Sequence, residues 1–402
     1  MRILVVTKSF PPFFSARAFQ TGKVARALAN AGTDITVITG HRGASVKKVN
    51  FPFPVFSIRY TDPFSSLFPK RAQRADNSLL QLYSNSWVRS AVRLARRLHN
   101  EKPFDFILSQ SNPFDGHLVA FHLKKQIRLP WCVSFSDPFP PRILPKPYTI
   151  KFRNRIPGLY ALQMNRLRST LTACDCVHVS AIKAAELLEK KSNVKIMSKT
   201  RSIPHIGGSV PHRLERNGRI AHIGQLSRAR WNGNEEMIKA FSTAAQKYHR
   251  FKGVDFIGAC DQAFAARISQ SGHDGLFSIL PSVGHEESLA VMQRYSALLV
   301  IEAKMEFSPF LPSKFSDYAR SGKPIMALTP TDSAISRYLS EYGGGIAVPQ
   351  ETEKIVDAIR RLFESDSPIQ ASEQLSYVFT PEHVGTSYAS WFEEVCKSFK
   401  EC

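Results

Sequence analysis

The chain has 402 residues, of which 43% are hydrophobic, and this length and composition suit two globular domains. No stretch approaches the roughly 18 apolar residues of a membrane span, and the basic-then-apolar start breaks at Lys8, too soon for a signal peptide. The net charge of +21 is one-sided: residues 1–200 carry 32 Lys and Arg against 10 Asp and Glu, whereas residues 201–402 carry 22 against 23.

Apolar runs of strand length alternate with helical periodicity along the whole chain, which predicts parallel sheets covered by helices, an α/β fold. In the first half, strands are expected over 3–6, 35–39, 104–109, 131–135 and 176–179, with helices over 22–30, 116–125 and 159–172. Residues 200–219 are rich in Gly, Pro, His and Arg and lack periodicity, which suits a domain boundary. In the second half, strands are expected over 220–224, 254–257, 277–280, 297–301, 325–328 and 345–348, and helices over 235–248, 286–294, 333–340 and 353–363. The expected division is therefore 1–200 and 201–382, with an amphipathic stretch over 383–402 crossing back to the first domain. Each half reads as a Rossmann-like, doubly wound unit, in which ligands bind beyond the carboxyl ends of the strands.

Residues 311–330, LPSKFSDYARSGKPIMALTP, concentrate the chemistry. Pro312 and Ser313 suit a helix start, with Ser313 as the cap. Lys314 then falls in the first turn, where the helix dipole favours an anion, so a lysine there suits an arriving phosphate. Asp317 lies one turn further on, placed for ribose hydroxyls. A second group is HIGQLSRARWNGN over 222–234: Gly224 ends a strand, and Arg228 and Arg230 follow in the loop, where guanidinium groups suit a diphosphate. Solvated loop arginines would show the same pattern. In the first half, His117 and Asp137 both fall just beyond strands, on the side where a ligand would bind.

With these residues in view, the chain resembles the family 4 glycosyltransferases of GT-B fold. The resemblance runs through the MRILVVTKSFPP opening, the ALANAGTDITVIT unit, FSDPF around Asp137, and the second half from Arg219, with PSK…DY…GKP matching one subgroup. It implies two Rossmann-like domains facing a central cleft and retaining transfer of a sugar from a nucleotide-sugar donor to a glycan or lipid-linked acceptor. The implied setting is cell-surface polysaccharide or glycolipid synthesis. It also implies a donor site at Gly224, Arg228, Arg230, Ser313, Lys314 and Asp317, with Arg230 at the subgroup's spacing from Gly224. Asp137 would receive the acceptor proton or position its hydroxyl, and His117 would contact the donor sugar. The family's usual pair of glutamates separated by seven residues is here Pro309 and Asp317, so the position that normally contacts the donor sugar departs from the rule. The loop after the first strand lacks the family's glycines, and Phe13, Phe14 and Arg17 would instead form an apolar and cationic lip for the acceptor.

No cofactor or metal is expected, since there is no DxD motif and cationic side chains can serve the diphosphate. The six cysteines show neither a CxxC pair nor clustering with His, which suits reduced thiols in a cytoplasmic protein. The basic first half suits an anionic membrane surface, and no nucleic-acid motif accompanies it. One helix over 87–99 pairs an apolar face (Trp87, Ala91, Leu94, Leu98) with Arg89, Arg93, Arg96 and Arg97, a pattern shared by membrane-surface helices and by helices packed on their own sheet. Two further readings use the same chemistry: a hydrolysing-type nucleotide-sugar 2-epimerase, which needs more acid/base groups than the carboxylate-poor first half offers, and a non-catalytic nucleotide-sugar-binding relative.

Overall fold

The computed structural model describes residues 1–12, 15–41, 50–60, 85–111, 113–149, 157–209, 217–231, 235–272 and 275–401. The chain forms two compact units. One comprises Met1–Leu144, Thr149–Ile203 and Pro381–Cys402, the other Pro145–Tyr148 and Pro204–Thr380.

In the first unit, runs such as ILVV and WCVSF have no polar face, so both sides of their strands must be covered. The elements are β1 (Arg2–Val6), α1 (Ala16–Asn30), β2 (Asp34–His41), β3 (Val55–Arg59), α2 (Asn85–Glu101), β4 (Phe106–Gln110), α3 (Asp115–Ile127), β5 (Trp131–Phe135), α4 (Pro157–Ala173), β6 (Cys176–Val179), α5 (Ile182–Ser192) and β7 (Thr200–Ser202). The strands form one parallel sheet in the order β3-β2-β1-β4-β5-β6-β7, with Val5 level with Val37 on one side and Leu108 on the other.

The second unit repeats the scheme with β8 (Arg219–Ile223), α6 (Arg228–Trp231), α7 (Glu235–Lys247), β9 (Gly253–Ile257), α8 (Gln262–Gln270), β10 (Phe277–Leu280), α9 (His285–Met292), β11 (Ala297–Ile301), α10 (Ser313–Ala319), β12 (Ile325–Leu328), α11 (Ala334–Tyr342), β13 (Gly345–Val348), α12 (Thr352–Phe363) and α13 (Glu373–Val378). Its sheet runs β10-β9-β8-β11-β12-β13, again wholly parallel. In both sheets the order reverses once, which is the doubly wound arrangement. The last helix, α14 (Pro381–Glu401), belongs to the first unit and lies along α1.

One sequence expectation changes. The first long helix starts at Ala16, not at residue 22, because Ser15 caps it by accepting a hydrogen bond from the Ala18 amide at 3.1 Å. The amphipathic helix α2 buries Trp87, Val88, Ala91, Ala95 and Leu98 in its own unit, where it contacts β2, β3 and α3. Its apolar face is thus taken by the protein's core, and Arg89, Arg93, Arg96 and Arg97 remain on the exposed side. The cysteines at 132, 174 and 176 are buried free thiols.

The contact of α14 with α1 depends on Gly385. A Cβ there would lie 2.5 Å from the Ala27 carbonyl oxygen, a backbone atom with no freedom to swing away. Gly385→Val is therefore expected to push the helices apart and cost roughly 1–3 kcal/mol, read as a lower urea midpoint. An unchanged midpoint would show that the close approach does not matter.

Candidate functional site

The second sheet changes direction between β8 and β11, and in doubly wound sheets this is where strand ends leave a crevice. The two strands are paired over only two positions, Ile220 with Ala297 and Ala221 with Leu298. Beyond them the ladder stops, and backbone groups that it would satisfy need other partners. Side chains supply these. His222 Nδ1 donates to the Leu299 carbonyl at 3.0 Å, and the Ile223 amide donates to the Tyr318 hydroxyl at 2.8 Å. Since Tyr318 belongs to α10, that short helix is tied to the end of β8.

The same tie brings Lys314 to the crevice. Its Nζ lies 3.0 Å from His222 Nε2. The Leu299 oxygen can only accept, and the Gln225 backbone also acts on the ring; a hydrogen on Nδ1 satisfies Leu299 and turns the Nε2 lone pair toward the ammonium. Burial first, then Lys314, then Arg230, push the His222 imidazole well below its usual range. Burial, followed by Arg230, lowers the Lys314 ammonium in the same way. Gly224, at φ +100°, turns the chain just past β8, and a Cβ there would lie 3.3 Å from Lys314 Nζ. The two arginines expected in a loop lie on the short helix α6; Arg230 is half-buried and near enough to act electrostatically on both His222 and Lys314, whereas Arg228 is exposed. Ser313 is the first residue of α10, and its carbonyl accepts from Ser316 Oγ at 2.6 Å. The cap position expected for Ser313 is occupied by Pro312, which has no side chain to donate or accept.

Asp317 is buried beside this group. One carboxylate oxygen accepts from the Gly208 amide at 2.6 Å, and the other lies 4.0 Å from His285 Nδ1. Glu302, just past β11, is buried too. Its carboxylate accepts from Ser308 Oγ at 2.7 Å and Thr329 Oγ1 at 2.5 Å, and the Gln350 amide binds its backbone oxygen. Burial raises its carboxyl, against the two hydroxyl bonds. Sequence reasoning singled out neither Glu302, His222 nor His285. The one available signal for Glu302 was a single acid closing the apolar run ALLVI, and for His222 an imidazole inside a strand.

In the first unit, Arg17 binds the Asp137 carboxylate at 2.6 Å and the Ser111 carbonyl at 2.6 Å, so the expected lip residue and the expected catalytic carboxylate form one ion pair. His117 is fully buried between Phe114 and Phe135, with ring centroids 5.0 and 4.9 Å away. Its Nδ1 lies 2.8 Å from Ser109 Oγ, which accepts from Trp131 Nε1 at 2.7 Å, and among the described residues Nε2 has no hydrogen-bond partner. Burial, helped by Arg17, pushes its pKa down to about 3. Beside it, Lys8 approaches the buried Asp115 at 3.4 Å and lies over the Tyr60 ring. Phe13 and Phe14 lie outside the described residues. Among the described residues no group of three or more His, Cys, Asp or Glu could hold a metal, and no helix is long and apolar enough to cross a membrane.

No protein-family model and no curated protein sequence matches the chain. Solved structures do. Sucrose-phosphate synthase from Thermosynechococcus elongatus superposes with a TM-score of 0.62 at 14% identity, covering 100% of this chain and 97% of that one. The E. coli trehalose-6-phosphate synthase bound with UDP-2-fluoro glucose gives 0.61 at 14% identity, covering 100% and 99%. The UDP-GlcNAc 2-epimerase of Methanocaldococcus jannaschii gives 0.53 at 11% identity, covering 98% and 99%. The chain therefore has the GT-B fold, with two Rossmann-like α/β domains.

His117 makes stability depend on pH. Its folded pKa, about 3, lies below the ordinary histidine value, so the unfolded chain binds the extra proton first as pH falls. Its contribution is fully present above about pH 6.5 and is lost progressively below that, by about 2 kcal/mol at pH 5. His117→Phe should flatten the fall in unfolding free energy between pH 6 and 4 by close to one proton. Parallel wild-type and mutant curves would contradict the burial of a neutral ring.

Proposed function

We propose that the protein is a retaining glycosyltransferase that takes its sugar from a nucleotide-sugar donor. The observation that carries this reading is the gathering of Lys314, Arg230, Gly224 and Asp317 at the carboxyl-end switch point of the second sheet, in a chain of GT-B fold. Two cations beside a residue without a side chain suit a diphosphate, and they stabilise the charge that grows on it as the glycosidic bond breaks. Asp317 keeps an oxygen toward His285 and suits the ribose hydroxyls. The donor neighbour bound with UDP-2-fluoro glucose supports a nucleotide-sugar here. No metal is needed in this scheme, because the cations do that work.

The acceptor is assigned to the first, basic unit. Asp137 is the carboxylate for the acceptor hydroxyl, and Arg17 holds it in one orientation while its side chain stays 44% exposed. His117, expected at the donor sugar, is fully buried between Phe114 and Phe135 and presents no surface to a ligand. A glycan or lipid-linked acceptor fits the basic surface, and the outward arginines of α2 are the part of that helix that would face an anionic membrane. The epimerase reading is kept alive by the epimerase neighbour, and free sugar or an epimer formed without acceptor would favour it. The Pro309 departure motivates a non-catalytic relative, which would bind donor and turn nothing over.

A thermal-shift screen of nucleoside diphosphates and nucleotide-sugars should find at least one that stabilises the protein, by about 2.7 kcal/mol at a hundred times its Kd. Lys314→Ala and Arg230→Ala should each weaken that ligand roughly ten- to a hundredfold, the range of a lost charged hydrogen bond. Unchanged binding in both variants would refute the site.

A further inference from the structure

Lys314 is held by an unusual partner. A lysine brought into a protein's interior is most simply stabilised by a carboxylate, yet here the atom at hydrogen-bond distance from Nζ is an imidazole nitrogen, His222 Nε2, at 3.0 Å. The buried carboxylates Asp317 and Glu302 of this unit are engaged elsewhere. Asp317 accepts from the Gly208 amide, and Glu302 accepts from Ser308 and Thr329. The difference matters for anion binding. A carboxylate on Lys314 would compete with any incoming phosphate, whereas a lone pair on a neutral ring fixes Nζ without placing a negative charge beside it.

The ring itself cannot turn. His222 is fully buried, Nδ1 is anchored to the Leu299 carbonyl at 3.0 Å, and Phe256 lies 6.2 Å away on the neighbouring strand. That anchor exists only because β8 and β11 stop pairing one residue earlier. On the other side, Gly224 leaves the space beside Nζ open, and Gly258, whose Cβ would meet the Gly224 backbone at 3.0 Å, keeps the second strand end equally bare. The groups around the ammonium are thus His222 from β8, Arg230 from α6 and the Cys260 thiol beyond β9.

We propose that His222 is a positioning residue for Lys314: its Nε2 lone pair, oriented through Nδ1 and Leu299, fixes the lysine Nζ at the bare strand end, where no carboxylate on it competes with an arriving diphosphate. This rests on the donor-site reading and adds to it a residue that touches no substrate.

The test compares His222→Phe, which keeps a flat apolar ring without a lone pair, with His222→Gln, whose amide can donate to Leu299 and accept from Lys314. Binding of UDP and of inorganic pyrophosphate is measured by calorimetry in wild type, both variants, Lys314→Ala and the His222→Phe/Lys314→Ala double variant. The expected result is a roughly ten- to a hundredfold loss of pyrophosphate and UDP affinity in His222→Phe, most of it restored in His222→Gln, and no further loss when Lys314→Ala is added. Nitrogen NMR of the unliganded wild-type protein should show His222 with its hydrogen on Nδ1, a readout that does not depend on any variant folding. Wild-type affinity in His222→Phe, full additivity with Lys314→Ala, or a hydrogen on Nε2 would each overturn the proposal. Pyrophosphate binding that follows this pattern without any nucleotide preference would leave the positioning role standing and remove the nucleotide-sugar reading instead.

Discussion

The early end of the β8–β11 ladder is the constraint from which the second unit's site follows. Two strands whose ladder stops before their ends leave amides and carbonyls that must not stay unpaired in a buried setting. Ordinary strands would simply continue. Here an imidazole and a phenol take over, and each brings a second element with it: His222 holds a lysine, and Tyr318 holds the helix from which that lysine projects. The opening in the sheet and the cation beside it are therefore one arrangement. Removing either side chain would unsettle both the backbone and the charge.

Much of the framework is legible from residue order. Central parallel strands are apolar on both faces, so ILVV, ALLVI and IMAL stand out without a structure, and the alternation with helices fixes the fold class. Edge elements are harder. VFSIR in β3 is only half-covered, and TRS in β7 is exposed and polar, so neither carries the pattern of a buried strand. The start of α1 was missed because its signal is a single capping serine preceding residues with no regular apolar spacing.

Within the site, Lys314 and Asp317 fall on one short helix, which local sequence can show. What each touches cannot be read locally. The Gly208 amide is 109 residues from Asp317, and His222 is 92 residues from Lys314. Glu302 and His285 carry no spacing pattern at all, and their placement follows from how loops pack over the strand ends. The first unit gives a parallel case, since the pairing of Arg17 with Asp137 spans 120 residues and joins side chains that the sequence alone treats as belonging to different tasks.

The helix α14 follows the whole of the second unit in the chain yet completes the first, resting on α1 through Gly385. A ribosome that has already released the strands of the first sheet must still make residues 204–380 before that face can be covered. Until then α1 presents bare apolar surface while a second domain is made, and closing such a long loop is slow compared with local helix formation. The first unit is thus the earlier one to be synthesised and the later one to be finished, so its exposure to chaperones and to misassembly is set by the folding time of its neighbour.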